Sequence, residues 1–402
     1  MNALTLSLRY LHHRLFASML HSITFASGIA VIVALLLINA QLGQEFSKNL
    51  RNIDLVVSGK GSPLQIILST VFHLDIPTGN IPIDEANALA KHPLVKRVIP
   101  MALGDNYNGA RIVGTTADYI DNYGGVLAQG RLYAAPMEAV VGSDVAAGNQ
   151  LALGQKIIGA HGLSNSDDLH TDFPYTIVGI LAPSDTVLDR LVLTPVESVW
   201  HVHEHPDADD PEEVAYKKEH PGNELTALLI TYQSPMAAVS LPREINKHHA
   251  MQAASPAFEV ARLTGFMGIG ADTLAVFGWF LITLAGFGMF TTLYNAMDER
   301  RYDLALLRSF GARPAKLFGL VICESLIVAL LGIAVGLALG HGLVYVASVW
   351  LENTRHIHIA SMVFLPEEGW LAMAGIAIGL LAAVIPAIRV YRIDIFKTLV
   401  RR

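Results

Sequence analysis

The chain has 402 residues, of which 52% are hydrophobic and 16% charged, against about a quarter charged in soluble domains. That balance excludes an ordinary soluble enzyme and indicates a membrane protein with a sizeable water-facing part. The formal charge of -7 sits mostly in the middle of the chain, and basic residues gather in short loops beside apolar runs. Nucleic acid is therefore no natural partner. The single cysteine, Cys323, lies in an apolar run, so no disulfide forms within the chain, and the residue reads as a small packing group.

Residues 1–16 place Leu4, Leu8, Leu11 and Leu15 at helical spacing among Arg9, His12, His13 and Arg14. This pattern predicts an amphipathic helix on the cytoplasmic membrane surface. Residues 17–42 contain the apolar run Ile23–Gln41, long enough to span and read as an uncleaved anchor rather than a signal peptide. Residues 43–268 are hydrophilic. Strands are expected at Ile53–Ser58, Ala110–Gly114, Ala139–Val141, Tyr175–Leu181, Leu191–Leu193 and Leu225–Tyr232. Ile83–Ala90 reads as a helix with Asp84 and Glu85 in its first turn. The apolar stretch Gln65–His73 is too short to span and reads as core, with an exposed substrate-facing loop as the alternative. Further spans are expected at 271–297, 317–346 and 368–390. Loops at 298–316 and 347–367 separate them, and a basic tail follows at 391–402. Lys and Arg concentrate before the first span, between the second and third, and after the fourth. The positive-inside rule then puts both termini and 298–316 in the cytoplasm and the large domain outside. The expected fold is four transmembrane helices with a large α+β extracytoplasmic domain between spans 1 and 2.

Three patterns inside the membrane region bear on function. Leu304, Leu307 and Phe310 recur at helical spacing in a charged segment that Gly311 ends, and Pro314 stands where the next helix would begin. This short helix between two spans is suited to touching another protein. Gly332, Gly336 and Gly340 are four apart, and Gly375 and Gly379 repeat the spacing in the fourth span. Such stripes let helices approach closely, either within the chain or across a dimer seam. Glu324 is an intramembrane acid, which is costly without a partner.

The outer region carries Trp200-His201-Val202-His203-Glu204-His205-Pro206-Asp207 followed by more acids. In an extended strand His201, His203 and His205 would share one face, with Asp207 close by, as a candidate Zn²⁺ or Cu²⁺ ligand set. His161, His170, His220, His248 and His249 add to the supply, and His356 and His358 alternate in the outer loop. A plain solvated acidic loop is the alternative. No catalytic residue is nominated. The phosphate-cradling G-x-x-x-x-G-K-[ST] pattern is missing, Gly148–Lys156 having the wrong spacing, and so is Gly-x-Ser-x-Gly.

The segment Glu299-Arg300-Arg301-Tyr302-Asp303-Leu304-Ala305-Leu306-Leu307-Arg308-Ser309-Phe310-Gly311-Ala312 resembles the ERRxEIGxLRAxGA signature of MacB/LolC/LolE/FtsX-like ABC transporter permeases. The likeness continues through Glu324-Ser325-Leu326 and into the closing Ile385-Pro386-Ala387 to Leu399, where Ile395 replaces the family's usual proline. It implies a non-catalytic permease of the bacterial inner membrane, without a cofactor of its own, served by a cytoplasmic ABC ATPase dimer that holds ATP and Mg²⁺. The coupling residues carried over are Glu299, Arg300, Arg301, Asp303, Leu304, Leu307, Arg308, Gly311 and Ala312, with Leu304 and Leu307 filling an apolar groove of the ATPase. ATPase closure would then pass to the outer domain as a lever motion, called mechanotransmission. The implied partners are a second copy or a homologous permease, a periplasmic adaptor or substrate-binding protein, and membrane lipid. The work implied is export or extraction of a lipoprotein, lipid, peptide or toxic compound. Two further readings stand beside it: an FtsX-like regulator of an outer enzyme, and a zinc-linked transport system using the histidine segment.

Overall fold

The computed structural model describes residues 7, 9–10, 12, 15–162, 170–203, 223–247, 250–355 and 360–392. In chain order, α1 (Leu15–Asn49) precedes β1 (Leu55–Gly59), α2 (Pro63–Thr70), β2 (Ile81–Pro82), α3 (Ile83–Ala90) and β3 (Val95–Tyr107). Then come β4 (Ala110–Thr115), α4 (Ala117–Asn122), β5 (Leu127–Gly130), β6 (Glu138–Val141), α5 (Ser143–Gly148), β7 (Lys156–Ile157) and β8 (Ala160–His161). They are followed by β9 (Tyr175–Leu181), β10 (Leu191–Thr194), α6 (Val196–Val202), β11 (Glu224–Leu225), β12 (Ala227–Tyr232), α7 (Ala237–Ile245) and β13 (Met251–Ala254). The last four helices are α8 (Pro256–Glu299), α9 (Arg301–Ser309), α10 (Pro314–Arg355) and α11 (Pro366–Arg389). These elements form two compact units, residues 43–265, and residues up to 42 together with 266–402.

The first unit is a mixed sheet. Among the described residues its strands run β13-β1-β12-β3-β4-β10-β6-β9-β5, with β7 beside β9 and β8 beside β3. The strands are apolar on both faces because helices cover both. In β1, Val56 enters one core with Ile66, Ile67, Met101 and Leu229. Leu55 and Val57 enter the other with Ile81, Leu228, Ile230 and Leu241. Successive side chains of a strand point to opposite faces, so one short run serves two cores. The stretch 65–73 settles as core: α2 takes up most of it, and Ile66 and Ile67 are fully buried. Strand β9 matches the expected Tyr175–Leu181. The longest strand, β3, was not expected, since Pro100, Gly104, Asp105 and Asn106 break its apolar pattern.

The second unit is helical. Among the described residues four helices, α1, α8, α10 and α11, are long and apolar enough to cross a membrane. Several are longer than the apolar windows suggested. Helix α1 continues past 42 to Asn49, and α8 begins at Pro256 rather than 271. Helix α10 runs from Pro314 to Arg355, so the expected loop at 347–367 is helical over its first part. Hydropathy finds only the lipid-length portion, whereas a helix continues until a proline, a cap or competing packing stops it. At 44 residues, α8 is about 66 Å long, roughly twice the hydrocarbon thickness. His356 and His358, and the tail beyond residue 392, lie outside the described residues, as does most of the 1–16 segment.

The glycine stripes seat helices within the chain. A Cβ on Gly336 would lie 2.7 Å from Ile29 and 2.8 Å from the Ala26 carbonyl. One on Gly340 would lie 2.8 Å from Val33, and one on Gly332 would press on Phe25 at 3.0 Å. Gly375 lets α11 meet Ile333 and Phe25, and Gly379 admits Ala329. Of the two uses expected for these glycines, the intrachain seam is the one the packing occupies. Helices in lipid gain little from hydrophobic burial, so this close backbone approach carries much of their association. Gly336→Leu is expected to cost about 1–3 kcal/mol by overpacking, read as a lower melting temperature in detergent. Gly342→Ala, where a Cβ meets nothing within 4 Å, is expected to be neutral or mildly stabilising.

Candidate functional site

Two groupings of polar side chains stand out, one in each unit. The first is the turn from α8 through α9 into α10. Helix α8 ends at Glu299, and Arg300 has left helical geometry, with φ -90 and ψ 8, as the N-cap of α9. Its guanidinium turns inward and meets Glu324 on α10, with Nη1 to Oε2 at 3.0 Å. The Tyr10 ring covers the guanidinium at 3.9 Å. Both members of the pair are largely buried. The intramembrane acid thus has its partner, and Arg300 is engaged inside the chain, not offered to an ATPase as expected.

The far end of α9 is fixed by backbone chemistry. Gly311 has φ +92, a left-handed conformation that side-chain-bearing residues adopt only with strain. Its N–H donates to the Arg308 carbonyl at 3.0 Å, and the Ala312 N–H donates to the Leu307 carbonyl at 3.0 Å. These two bonds make a Schellman cap, with Leu307 and Ala312 packed on the same apolar cluster. Leu304 and Ala305 are buried in that cluster with Leu293, Met297, Leu317, Val321 and Ala387. Leu304 therefore holds α9 against its own bundle, and the expectation that it fills a partner's groove is corrected. Phe310 does not share the inward stripe with Leu304 and Leu307; it is 80% exposed. Tyr302, Leu306 and Phe310, four residues apart, form an exposed apolar line that the sequence reading did not separate from the buried one. Arg301, Asp303 and Glu299 are exposed beside it and Arg308 is half-buried.

The second grouping lies on the sheet. Asp105 and His161 are cross-strand partners of β3 and β8, so their side chains share a face. The Asn106 amide donates to the carbonyls of Ala160 at 3.2 Å, His161 at 3.4 Å and Gly162 at 3.1 Å, bracing that strand pair. The Gly162 N–H donates to the Gly104 carbonyl, and the His170 N–H to the Gly159 carbonyl, both at 3.0 Å. His203 follows α6, its N–H bonded to the Val199 and Trp200 carbonyls. Its imidazole reaches over Gly104, where a Cβ would lie 3.5 Å from Nε2.

Three imidazole nitrogens converge on one carboxylate oxygen. His203 Nε2 lies 3.3 Å from Asp105 Oδ1, and His161 Nδ1 and His170 Nε2 each lie 3.5 Å from it. All four atoms lie within 4.8 Å of one another. Asp105 is 1% exposed, whereas the three imidazoles keep a partial opening to solvent. Burial by itself pushes the Asp105 carboxyl up, but His170 and His203 outweigh it and hold the group well below the usual carboxylate range. Burial, and then Asp105, push the neighbouring Tyr175 hydroxyl far up. Arg111 is the other buried charge nearby; burial draws its pKa down and Asp105 opposes that. It donates to the Asp75 carbonyl at 2.6 Å.

Of the expected set His201, His203, His205 and Asp207, the structure places only His203 in this cluster. His201 does not join it, because residues 196–202 are helical and the alternation of a strand is lost; its ring packs beside Phe173 instead. His205 and Asp207 lie outside the described residues. His161 and His170 were visible only as extra histidines, and Asp105 gave no signal, since its strand was not foreseen.

A profile of the MacB-like periplasmic core domain matches residues 18–240, more than half of the chain, and one of the FtsX-like permease C-terminal region matches 275–395. The chain belongs to the MacB/FtsX-like permease family. This permease is similar to the periplasmic region of MacB from Actinobacillus actinomycetemcomitans, at 16% identity over 55% of this chain and 98% of that one, with a TM-score of 0.35. It is also similar to the extracellular domain of the ABC-type transporter YknZ from Gram-positive bacteria, at 15% identity over 50% and 99% of the two chains and a TM-score of 0.30. No curated protein sequence matches it. It is a multi-pass membrane protein of the ABC-transporter permease type with a large domain outside the membrane.

Glu324→Ala leaves the Arg300 guanidinium buried without its counter-charge and is expected to destabilise the permease by about 3–5 kcal/mol. Replacing both with apolar residues, Arg300→Met with Glu324→Leu, is expected to recover most of that loss. Unfolding in mixed micelles measures both.

Proposed function

We propose that this permease sits in a bacterial inner membrane with both termini in the cytoplasm, and that α9 receives a separate ABC ATPase dimer. The proposed docking surface is Tyr302, Leu306 and Phe310 with Arg301, rather than the inward Leu304 and Arg300. Aromatic and arginine side chains are the types that dominate binding at protein interfaces. The observation that carries this reading is the rigid mounting of α9. The Arg300–Glu324 pair fixes its start, the Gly311 cap its end, and Leu304 with Ala305 its inner face. A helix held at three points moves as one body with the helices on either side of it, as a lever requires.

On this reading ATP-driven closure of the ATPase moves the span helices, and the work is done on cargo outside the membrane: a lipoprotein, lipid, peptide or toxic compound. A second permease subunit, the same or homologous, completes the assembly. The permease contributes no catalytic group; ATP and Mg²⁺ reside on the ATPase. The lever function depends on the mounting, and the docking on the exposed line, so the two separate by mutation.

Tyr302→Ala with Phe310→Ala, and separately Arg301→Glu, are expected to lower co-purification of the ATPase at least tenfold while leaving the melting temperature near that of the parent. Undiminished recovery of ATPase with both variants would sink the assignment of this face.

A further inference from the structure

We propose that Asp105, His161, His170 and His203 form a four-coordinate Zn²⁺ centre on the outer domain of the permease. The inference is independent of the ATPase-coupling reading, since none of its residues lies in the helical unit.

The distances separate a metal site from a hydrogen-bonded cluster. A charge-assisted N–H···O bond closes to about 2.7–2.9 Å. The three nitrogens here stand at 3.3 Å, 3.5 Å and 3.5 Å from a single oxygen. Among the described residues neither Asp105 oxygen meets a donor with hydrogen-bond geometry, although the residue is buried. The spacing has a ready meaning. Zinc binds imidazole nitrogen and carboxylate oxygen at about 2.0–2.1 Å in a tetrahedron, whose edge is about 1.63 times the bond, or roughly 3.3–3.4 Å. One oxygen held near that distance from three nitrogens is an apex above a triangular base. The full set, within 4.8 Å, closes around an ion by modest rotation of partly exposed rings.

The chemistry of the donors agrees. Three imidazoles and one carboxylate are borderline ligands that suit Zn²⁺, and they supply all four positions of a closed centre. Three imidazolium ions crowded on one carboxylate would repel, whereas three neutral imidazoles and a carboxylate are the form a cation takes up. The partial exposure of His161, His170 and His203 leaves a path of entry. The backbone is braced on the ligand side by the three Asn106 bonds and the Gly162–Gly104 bond. The ligands come from separate places: Asp105 from strand β3, His161 from β8, His170 from the backbone bonded to Gly159, and His203 from the end of α6. An ion would join all four.

The test uses the full-length chain purified in detergent, stripped with a chelator and dialysed against micromolar Zn²⁺, with bound metal measured by mass spectrometry. One zinc per chain is expected, with a rise in melting temperature on loading. His170→Ala and His203→Ala, each shown folded by circular dichroism, are expected to lose zinc affinity at least tenfold and the zinc-dependent rise in melting temperature. His201→Ala is expected to keep both. A parent protein holding less than a tenth of an equivalent, or His170→Ala and His203→Ala variants that bind zinc as the parent does, would overturn the proposal.

Discussion

A buried charge needs a counter-charge beside it, and in the helical unit of this permease Arg300 and Glu324 answer one another. The pair joins the turn after α8 to the body of α10 across 24 residues of sequence, with Tyr10 laid over the guanidinium. Its net contribution to stability is small, because desolvating two ions offsets most of their attraction. What it contributes is uniqueness of position. An unpaired Arg300 or Glu324 in that setting is so unfavourable that alternative docking of α8 on α10 is suppressed. Because Arg300 also caps α9 and accepts the Leu304 N–H at 3.0 Å, the same constraint sets the angle at which α9 leaves the bundle.

The other end of the helical unit repeats the device with different groups. His341 on α10 lies 3.2 Å from a Glu368 oxygen, and its other ring nitrogen lies 2.6 Å from the Ser361 carbonyl. The second Glu368 oxygen accepts the Leu365 N–H at 3.1 Å, capping the first turn of α11. Gln41 of α1 both donates to and accepts from the backbone of Ala360. Between these polar clamps the glycine seam draws α1, α10 and α11 together. Polar pairing fixes register at the two ends, and small residues allow contact between them. Neither His341 nor Glu368 was singled out from the sequence, because a lone polar residue near a span end reads as interfacial.

How much was legible follows from which physics is local. The number of apolar spans, the Gly311 stop and the glycine spacing depend on residues close in sequence, and they emerged without the structure. The direction each side chain takes does not. The charged run at 299–308 announces a helix at a membrane face, yet whether Leu304 or Leu306 turns inward depends on the facing Val321 and Ala387. The strand β3 carries Pro100, Gly104 and Asp105, residues that weaken a strand reading, and it persists because β4, β8 and β12 pair with it. The histidine segment was read with the wrong period: α6 gives His201 and His203 different neighbours, and the cluster takes its remaining members from residues more than 30 positions away.

The exposed line of Tyr302, Leu306 and Phe310 has a cost when nothing covers it. Apolar side chains presented outward on a rigid helix, with charges beside them, attract any complementary surface, including those of unrelated or half-folded chains. A permease made in excess of the ATPase proposed to cover this line would therefore be sticky along it. On the docking proposed for α9, balanced synthesis of permease and ATPase becomes a matter of solubility as well as of activity, and overproduction of the permease alone is the condition under which the surface would betray itself.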